Sequence, residues 1–303
     1  MSEFGGKLQV AGGRSSIPKA TCHLPLATCY PRRIVFRSLC SYARKSLWLI
    51  ALLTLVFLQI GCQTADSSWE RVQAAGILRV GLDPTYPPFE VDDGGNLYGL
   101  DIDLANAIAN DLGLDVQFVY FGYDGLYDAL ATEQVDVLIS ALVIIPERTR
   151  DFSYSNSYFN AGEILIVPAD DDTIETMADL SGKTVAVELG SLGHVEATEW
   201  AKRVENLEIM TFSTADEAIT AVQQGNTHAA HAALTDAISG RLFLRDHDGL
   251  KRLPESVTVE PFALVVRSED EQLLTVLNQS LATLQQSGLL DQIEANWLEL
   301  SGK

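Results

Sequence analysis

Cysteine is almost absent. The 303-residue chain has four, Cys22, Cys29, Cys40 and Cys62, and none from Gln63 onward. The body of the protein therefore has no disulfide framework, no thiolate nucleophile and no cysteine metal site. Histidine is scarce as well. His23, His194, His228, His231 and His247 contain no HExxH-type spacing, so neither a metal enzyme nor a cofactor is expected. Positive charge is the third shortage: 21 Lys and Arg stand against 41 Asp and Glu. Eight of those basic residues and a single acid, Glu3, precede position 63, which leaves 13 against 40 and a net charge of −27 beyond Cys62. Such a body has no basic footprint for nucleic acid. Beyond residue 62 there is also no low-complexity tract and no repeat of short period. What remains is 47% apolar and 20% charged, the balance of a globular protein long enough for two medium lobes.

The segment YARKSLWLIALLTLVFLQIGC places Arg44 and Lys45 ahead of an apolar run from Leu47 to Ile60. Fourteen residues are short for a spanning helix and suit a signal-peptide core. The run ends at Gly61-Cys62, which resembles a bacterial lipoprotein cleavage box, although Gln59 stands where an apolar residue is usual. Cys62 is then the expected lipid-attachment site. The alternative is an uncleaved membrane anchor, and both readings export and tether everything that follows. Two acyl chains anchor stably because each buried CH₂ adds about 0.8 kcal/mol. Residues 1–62 are thus a basic lead plus a lipoprotein-type signal, and residues 63–76 read as a linker.

From Ile77 the pattern is β/α. ILRVGL (77–82) is a strand and GLDIDLANAIANDLG (99–113) a helix ending at Gly113, with Leu100, Leu104, Ile108 and Leu112 at helical spacing. DVQFVYF (115–121) is a strand, GLYDALATEQ (125–134) a short helix, and VDVLISALVII a strand that breaks through Pro146 into an arginine-bearing corner. In a second unit, 173–182 reads as a helix, followed by a strand, turn and helix over 183–204, a strand in ENLEIMTF and a helix in TADEAITAVQQG. A further strand and helix occupy AAHAALTDAISGRLFL. VTVEPFALVVRSED gives two extended runs separated by Glu260-Pro261, and two helices finish the chain. Strands alternating with helices predict a mostly parallel sheet with right-handed crossovers.

ILRVGLDPTYPPFEVDDGGNLYGLDIDLANAIANDLG, followed by DVLISALVIIPERTRDFSYSNSYF, resembles the polar amino-acid-binding proteins of bacterial ABC importers, notably the histidine-, lysine/arginine/ornithine- and glutamine-binding members. The resemblance covers essentially all of residues 77–299. It implies an α/β periplasmic-binding-protein fold of type II, two lobes joined by two crossing strands. Lobe 1 would be 77–162 plus 261–303 and lobe 2 would be 163–260. It also implies a monomer outside the cytoplasm, a free amino acid as ligand, an ABC permease as partner and no catalysis. The rival on the same fold is a cyclohexadienyl or arogenate dehydratase, for which Glu188 is the one acid the sequence offers.

Residue by residue, Arg148 falls on the arginine that pairs with the ligand carboxylate, a role suited to its planar fork. Ser191 opens the lobe 2 helix as an anion seat or a plain N-cap. Asp236 falls on the acid that holds the ligand ammonium. A lead-in spread over Gly225 to His231 leaves a second register open, with Ala233 in that place. Tyr86 and Tyr123 match the aromatic residues that sandwich the ligand. Asp83 and Glu188 would read its side chain, and two acids suit a cation. Ser140 and Ala141 would offer backbone groups. Val143 stands where the family usually has a threonine. A Ser191–His194–Asp236 triad is set aside, because a serine three residues before a histidine on one helix is no nucleophile elbow.

Overall fold

The computed structural model describes residues 66–223 and 230–299. The apolar run, Cys62 and most of the Gly225–His231 lead-in lie outside the described residues. The expected linker, where described, is not extended. Helix α1 (Ser68–Ala75) begins after Asp66, which accepts the Ser68 N–H at 2.9 Å and the Ser68 hydroxyl at 2.6 Å. It stops at Gly76, left-handed at φ 67°. Val72 is buried and Trp69 packs against the core, so eight residues suffice because tertiary burial holds them.

Strand β1 (Ile77–Leu82) leads into a small meander of β2 (Thr85–Tyr86), β3 (Glu90–Asp93) and β4 (Asn96–Tyr98). Helix α2 (Leu100–Leu112) follows. Its Leu100, Leu104 and Ile108 are fully buried, each contributing about 1.5–3 kcal/mol. Gly113 ends it at φ 68°, with its N–H bonded to the carbonyls of Ala109 and Asn110. Then come β5 (Asp115–Tyr120), α3 (Leu126–Ala131), β6 (Val137–Leu138), β7 (Phe152–Asn160) and β8 (Glu163–Pro168). The next elements are β9 (Thr184–Glu188), α4 (Leu192–Trp200), β10 (Glu208–Phe212), α5 (Ala215–Gln223) and β11 (Ala232–Asp236). The chain closes with α6 (Ala237–Asp246), β12 (Leu250–Arg252), β13 (Pro261–Arg267), α7 (Glu271–Ser287) and α8 (Leu289–Leu298).

Two five-stranded sheets result, ordered β5-β1-β6-β13-β7 and β10-β9-β11-β8-β12. Each is the core of one lobe. β1 pairs in parallel with β5, Ile77 opposite Asp115 through Leu82 opposite Tyr120. The sheets are mixed rather than mostly parallel. β13 runs antiparallel to both β6 and β7, and β8 runs antiparallel to both β11 and β12. The cause is the chain's path. It leaves the first sheet at Asn160, enters the second at Glu163, and returns at Pro261 against its outgoing direction. At the crossings Ala161 N–H bonds the Glu260 carbonyl at 2.9 Å, and Glu163 N–H bonds Thr258 Oγ1 at 2.8 Å.

Three sequence expectations are corrected. The helix over 173–182 shrinks to one 3₁₀ turn, Met177–Leu180, because Thr176 and Asp179 form a capping box that Gly182 soon terminates. The long strand over 135–145 is only Val137–Leu138, since Ser140 and Ala141 turn away to bond acidic side chains. Val143 rejoins the sheet through a single bridge to Phe262. The extended run before Glu260 forms no strand; the N–H of Val257 instead bonds the carbonyl of Glu163 at 2.7 Å.

Candidate functional site

A cleft of about 430 Å³ opens where the two sheets face each other across the crossings. Its lining includes Asp83, Tyr86, Tyr123, Ser140, Ala141, Val143 and Asp236, seven of the ten residues expected from the sequence. Glu90, Glu260 and Phe262 join them. Most stand just beyond strand ends: Asp83 after β1, Ser140 after β6, Asp236 at the end of β11. Ligands of open α/β sheets collect at such carboxyl edges.

Local chemistry explains each placement. Asp83 accepts the Tyr123 N–H at 2.8 Å and the Thr85 hydroxyl at 2.8 Å, which ties the two aromatic segments of the wall together. Tyr86 stacks on buried Phe89 with ring centroids 5.7 Å apart. Tyr123 stands 56% exposed. Ser140 accepts the Asp83 N–H at 3.1 Å and donates to Glu90 at 2.7 Å. Ala141 adopts φ 46°, rare for a residue with a Cβ, and its N–H donates to Asp101 at 2.7 Å. Asp236 caps α6, accepting the N–H groups of Ile238 and Ser239 on Oδ1, while Oδ2 takes part in neither bond. Ala233 sits fully buried inside β11, so Asp236 and not Ala233 meets the cleft.

Arg148, Glu188 and Ser191 do not line this cleft. Arg148 ends the 3₁₀ turn Pro146–Arg148, exposed, with its guanidinium 4.1 Å from the centre of the Tyr127 ring. Ser191 caps α4, accepting the His194 N–H at 3.1 Å and donating to the Glu188 carbonyl at 2.9 Å. Glu188 closes β9, half-buried.

Four acids escaped the sequence reading. Glu260 lines the cleft next to Pro261. Glu90 and Asp101 are each 1% exposed, and Glu163, 5% exposed, opens β8. Glu163 Oε2 lies so close to Gly193 in the first turn of α4 that a Cβ there would meet it at 2.7 Å. Burial, with repulsion from Asp236, Glu260 and Glu196, pushes the Glu163 carboxyl up to about 7. At low pH the folded and unfolded chains both carry the proton and the residue costs nothing. As pH rises, the unfolded chain ionises first, so stability falls until the folded carboxyl also ionises near 7. Glu163→Gln is therefore expected to stabilise the protein by about 3 kcal/mol at pH 8 and by nothing at pH 4. Calorimetric melts at the two pH values check this; equal shifts at both would remove the burial cost.

Two α/β lobes, two crossings and a cleft lined by carboxylates at the strand ends define a two-lobed periplasmic-binding-protein fold of type II. The chain belongs to the bacterial extracellular solute-binding proteins, family 3, whose profile matches residues 78–300. It is 27% identical over 256 residues to the arginine-binding extracellular protein ArtP of Bacillus subtilis (strain 168), covering 82% of this chain and 97% of that one. Among solved structures it is similar to an ancestral cationic amino acid solute binding protein, AncCDT-1, with a TM-score of 0.56 and 32% identity over 76% of this chain and 99% of that one. It is also similar to an ancestral cyclohexadienyl dehydratase, AncCDT-3, with a TM-score of 0.66 and 26% identity over 76% of this chain and 96% of that one.

Proposed function

We propose that this protein is an extracytoplasmic binding protein that captures a free amino acid, cationic or polar, between its lobes and delivers it to an ABC importer. The observation that carries the ligand class is the charge of the cleft. Asp83, Glu90, Asp236 and Glu260 line it, and none of its lining residues is Lys or Arg. A cationic side chain neutralises such a wall, whereas an acidic one would add to its repulsion. The tyrosines supply flat faces for the aliphatic stem. The names of ArtP and AncCDT-1 agree with a cationic ligand.

On this reading the ligand docks on the first lobe against Tyr86 and Tyr123. Arg148, on the same lobe, takes the ligand carboxylate, and closure about the crossings, 158–163 and 259–261, brings Ser191 and Asp236 of the second lobe to complete the cage. The lobes are 77–162 with 261–303, and 163–260. Glu188 reads the ligand side chain from the second lobe. The protein works as a monomer. The run from Leu47 to Ile60 and the following Cys62 support export and a lipid tether to the membrane.

The dehydratase reading has two observations in its favour, the likeness to AncCDT-3 and the near-neutral carboxyl of Glu163. Glu163 does not line the cleft, however, and proton transfer needs the acid within hydrogen-bond reach of the reacting group. Isothermal calorimetry of residues 63–303 against the twenty amino acids and prephenate tests both. A cationic or polar amino acid is expected to bind at about micromolar Kd or tighter. Turnover of prephenate, with no amino acid bound, would reverse the assignment.

A further inference from the structure

Beneath the cleft wall lies a buried polar pair with no assigned role. Glu90 comes from β3 in the small meander and Asp101 from the first turn of α2, and both are 1% exposed. One oxygen of each has a donor: Ser140 Oγ for Glu90 Oε1, and the Ala141 N–H for Asp101 Oδ2, both at 2.7 Å. The remaining oxygens, Glu90 Oε2 and Asp101 Oδ1, are buried with no donor. The Asp101 carboxyl neighbours Glu90, and burial together with that neighbour's negative charge pushes the Glu90 carboxyl up. Two bare carboxylates cannot satisfy each other's orphan oxygens, because neither has a hydrogen to give. The groups that face them are Tyr158, Asp83 and Tyr86, none of them a cation. A doubly charged pair would stand uncompensated in a dry site, a cost proteins avoid by keeping a proton.

The pair also holds strained backbone. Ala141 keeps a left-handed conformation at φ 46°, which persists only where its surroundings impose it. Asp101 imposes it through the Ala141 N–H. Glu90 fixes the Ser140 hydroxyl, which in turn takes the N–H of Asp83. Three cleft-lining residues on two chain segments thus depend on two acids beneath them.

We propose that Glu90 and Asp101 share a single proton and act as a positioning pair that sets the Asp83 and Ser140–Ala141 wall of the cleft. One O–H then donates, one oxygen accepts, and both orphan oxygens are satisfied. Burial first, and then the Asp101 charge, hold the Glu90 carboxyl far above the usual carboxylate range, so Glu90 carries the proton. The ligand arm of the following test rests on the amino-acid-binding reading; the other two arms do not.

The test uses Glu90→Gln, Asp101→Asn and the double variant in the intact chain. In each single variant an amide N–H replaces the shared proton, so each melts within about 3 °C of the parent. The double variant sets two NH₂ groups against each other or forces one to turn away from Ser140 or Ala141. It is expected to melt about 6 °C or more below the parent, and to bind L-arginine about tenfold more weakly than either single variant. Infrared difference spectra at neutral pH are expected to show the carbonyl stretch of a protonated carboxylic acid that Glu90→Gln deletes. A parent without that band, or a double variant no worse than the sum of the singles, overturns the shared proton. Failure of the parent to bind L-arginine overturns the cationic-ligand reading instead, and the band and the melts still decide the pair.

Discussion

Arg148→Ala is expected to weaken amino-acid binding about 100-fold or more, close to 3 kcal/mol, while the melting temperature of the ligand-free protein barely moves. The asymmetry follows from where Arg148 sits. In the structure its guanidinium lies over the Tyr127 ring, exposed and without an ion pair among the described residues. An exposed cation–π contact is worth about 0.5–1 kcal/mol, the most its removal can cost the empty protein. The bound state differs. The cleft wall carries the carboxylates of Asp83, Asp236 and Glu260 beside protonated Glu90, and no basic residue, so a ligand α-carboxylate entering it has no favourable partner there. Tyr127 lies on α3, directly beyond the Tyr123 turn that forms one edge of the cleft. Arg148 is the nearby fork that can offer two parallel N–H groups once water is excluded. Arg148→Lys keeps the charge and loses the fork, and an intermediate loss of about tenfold is expected. Calorimetric titration of the three proteins with L-arginine decides the matter. Unchanged affinity in Arg148→Ala would remove the residue from the site and leave the ligand carboxylate to the helix end at Ser191.

The parts of this fold that could be read from sequence are those fixed by local chemistry. The helix from Leu100 to Leu112 shows its buried face in its spacing and its end in Gly113, because both are decided within one turn. Asp236 could be read as a helix cap because an aspartate between an apolar strand and a helix satisfies the free N–H groups of the first turn. Misplaced features depend on partners distant in the chain. The apolar run after Val137 has every local mark of a long strand. It leaves the sheet because Glu90 and Asp101, 50 and 40 residues away, draw Ser140 and Ala141 aside. Those two acids themselves look like surface residues in PPFEVDD and GLDIDL; only the packing of the meander against α2 buries them. Glu163 is hidden for the same reason, since its neighbours Gly193, Asp236 and Glu260 come from three separate segments. Buried acids in a chain this acidic carry no local signature.

Gly162→Ala is expected to damage stability and binding together, and the reason lies in the crossings. A Cβ on Gly162 would meet the Thr258 carbonyl oxygen at 2.2 Å and its carbon at 2.6 Å. No side-chain movement relieves a contact with backbone, so the two crossing segments must separate. They are held by several bonds at once. Asn160 Oδ1 accepts the N–H groups of Gly162 at 3.1 Å and Glu260 at 2.7 Å. The Glu163 N–H reaches Thr258 Oγ1, and the Ala161 N–H reaches the Glu260 carbonyl. Prising the segments apart lengthens several of these bonds, and a loss of about 3 kcal/mol or more follows, near 6–12 °C in melting temperature for a chain of this size. The same separation alters the joint about which the lobes close, so L-arginine affinity is expected to fall by more than lower stability alone explains. Melting curves with and without saturating ligand separate the two effects. If the ligand-induced shift in Gly162→Ala equals that of the parent, the crossings do not set closure. A stability effect alone would then make Gly162 a packing residue in an otherwise rigid neck.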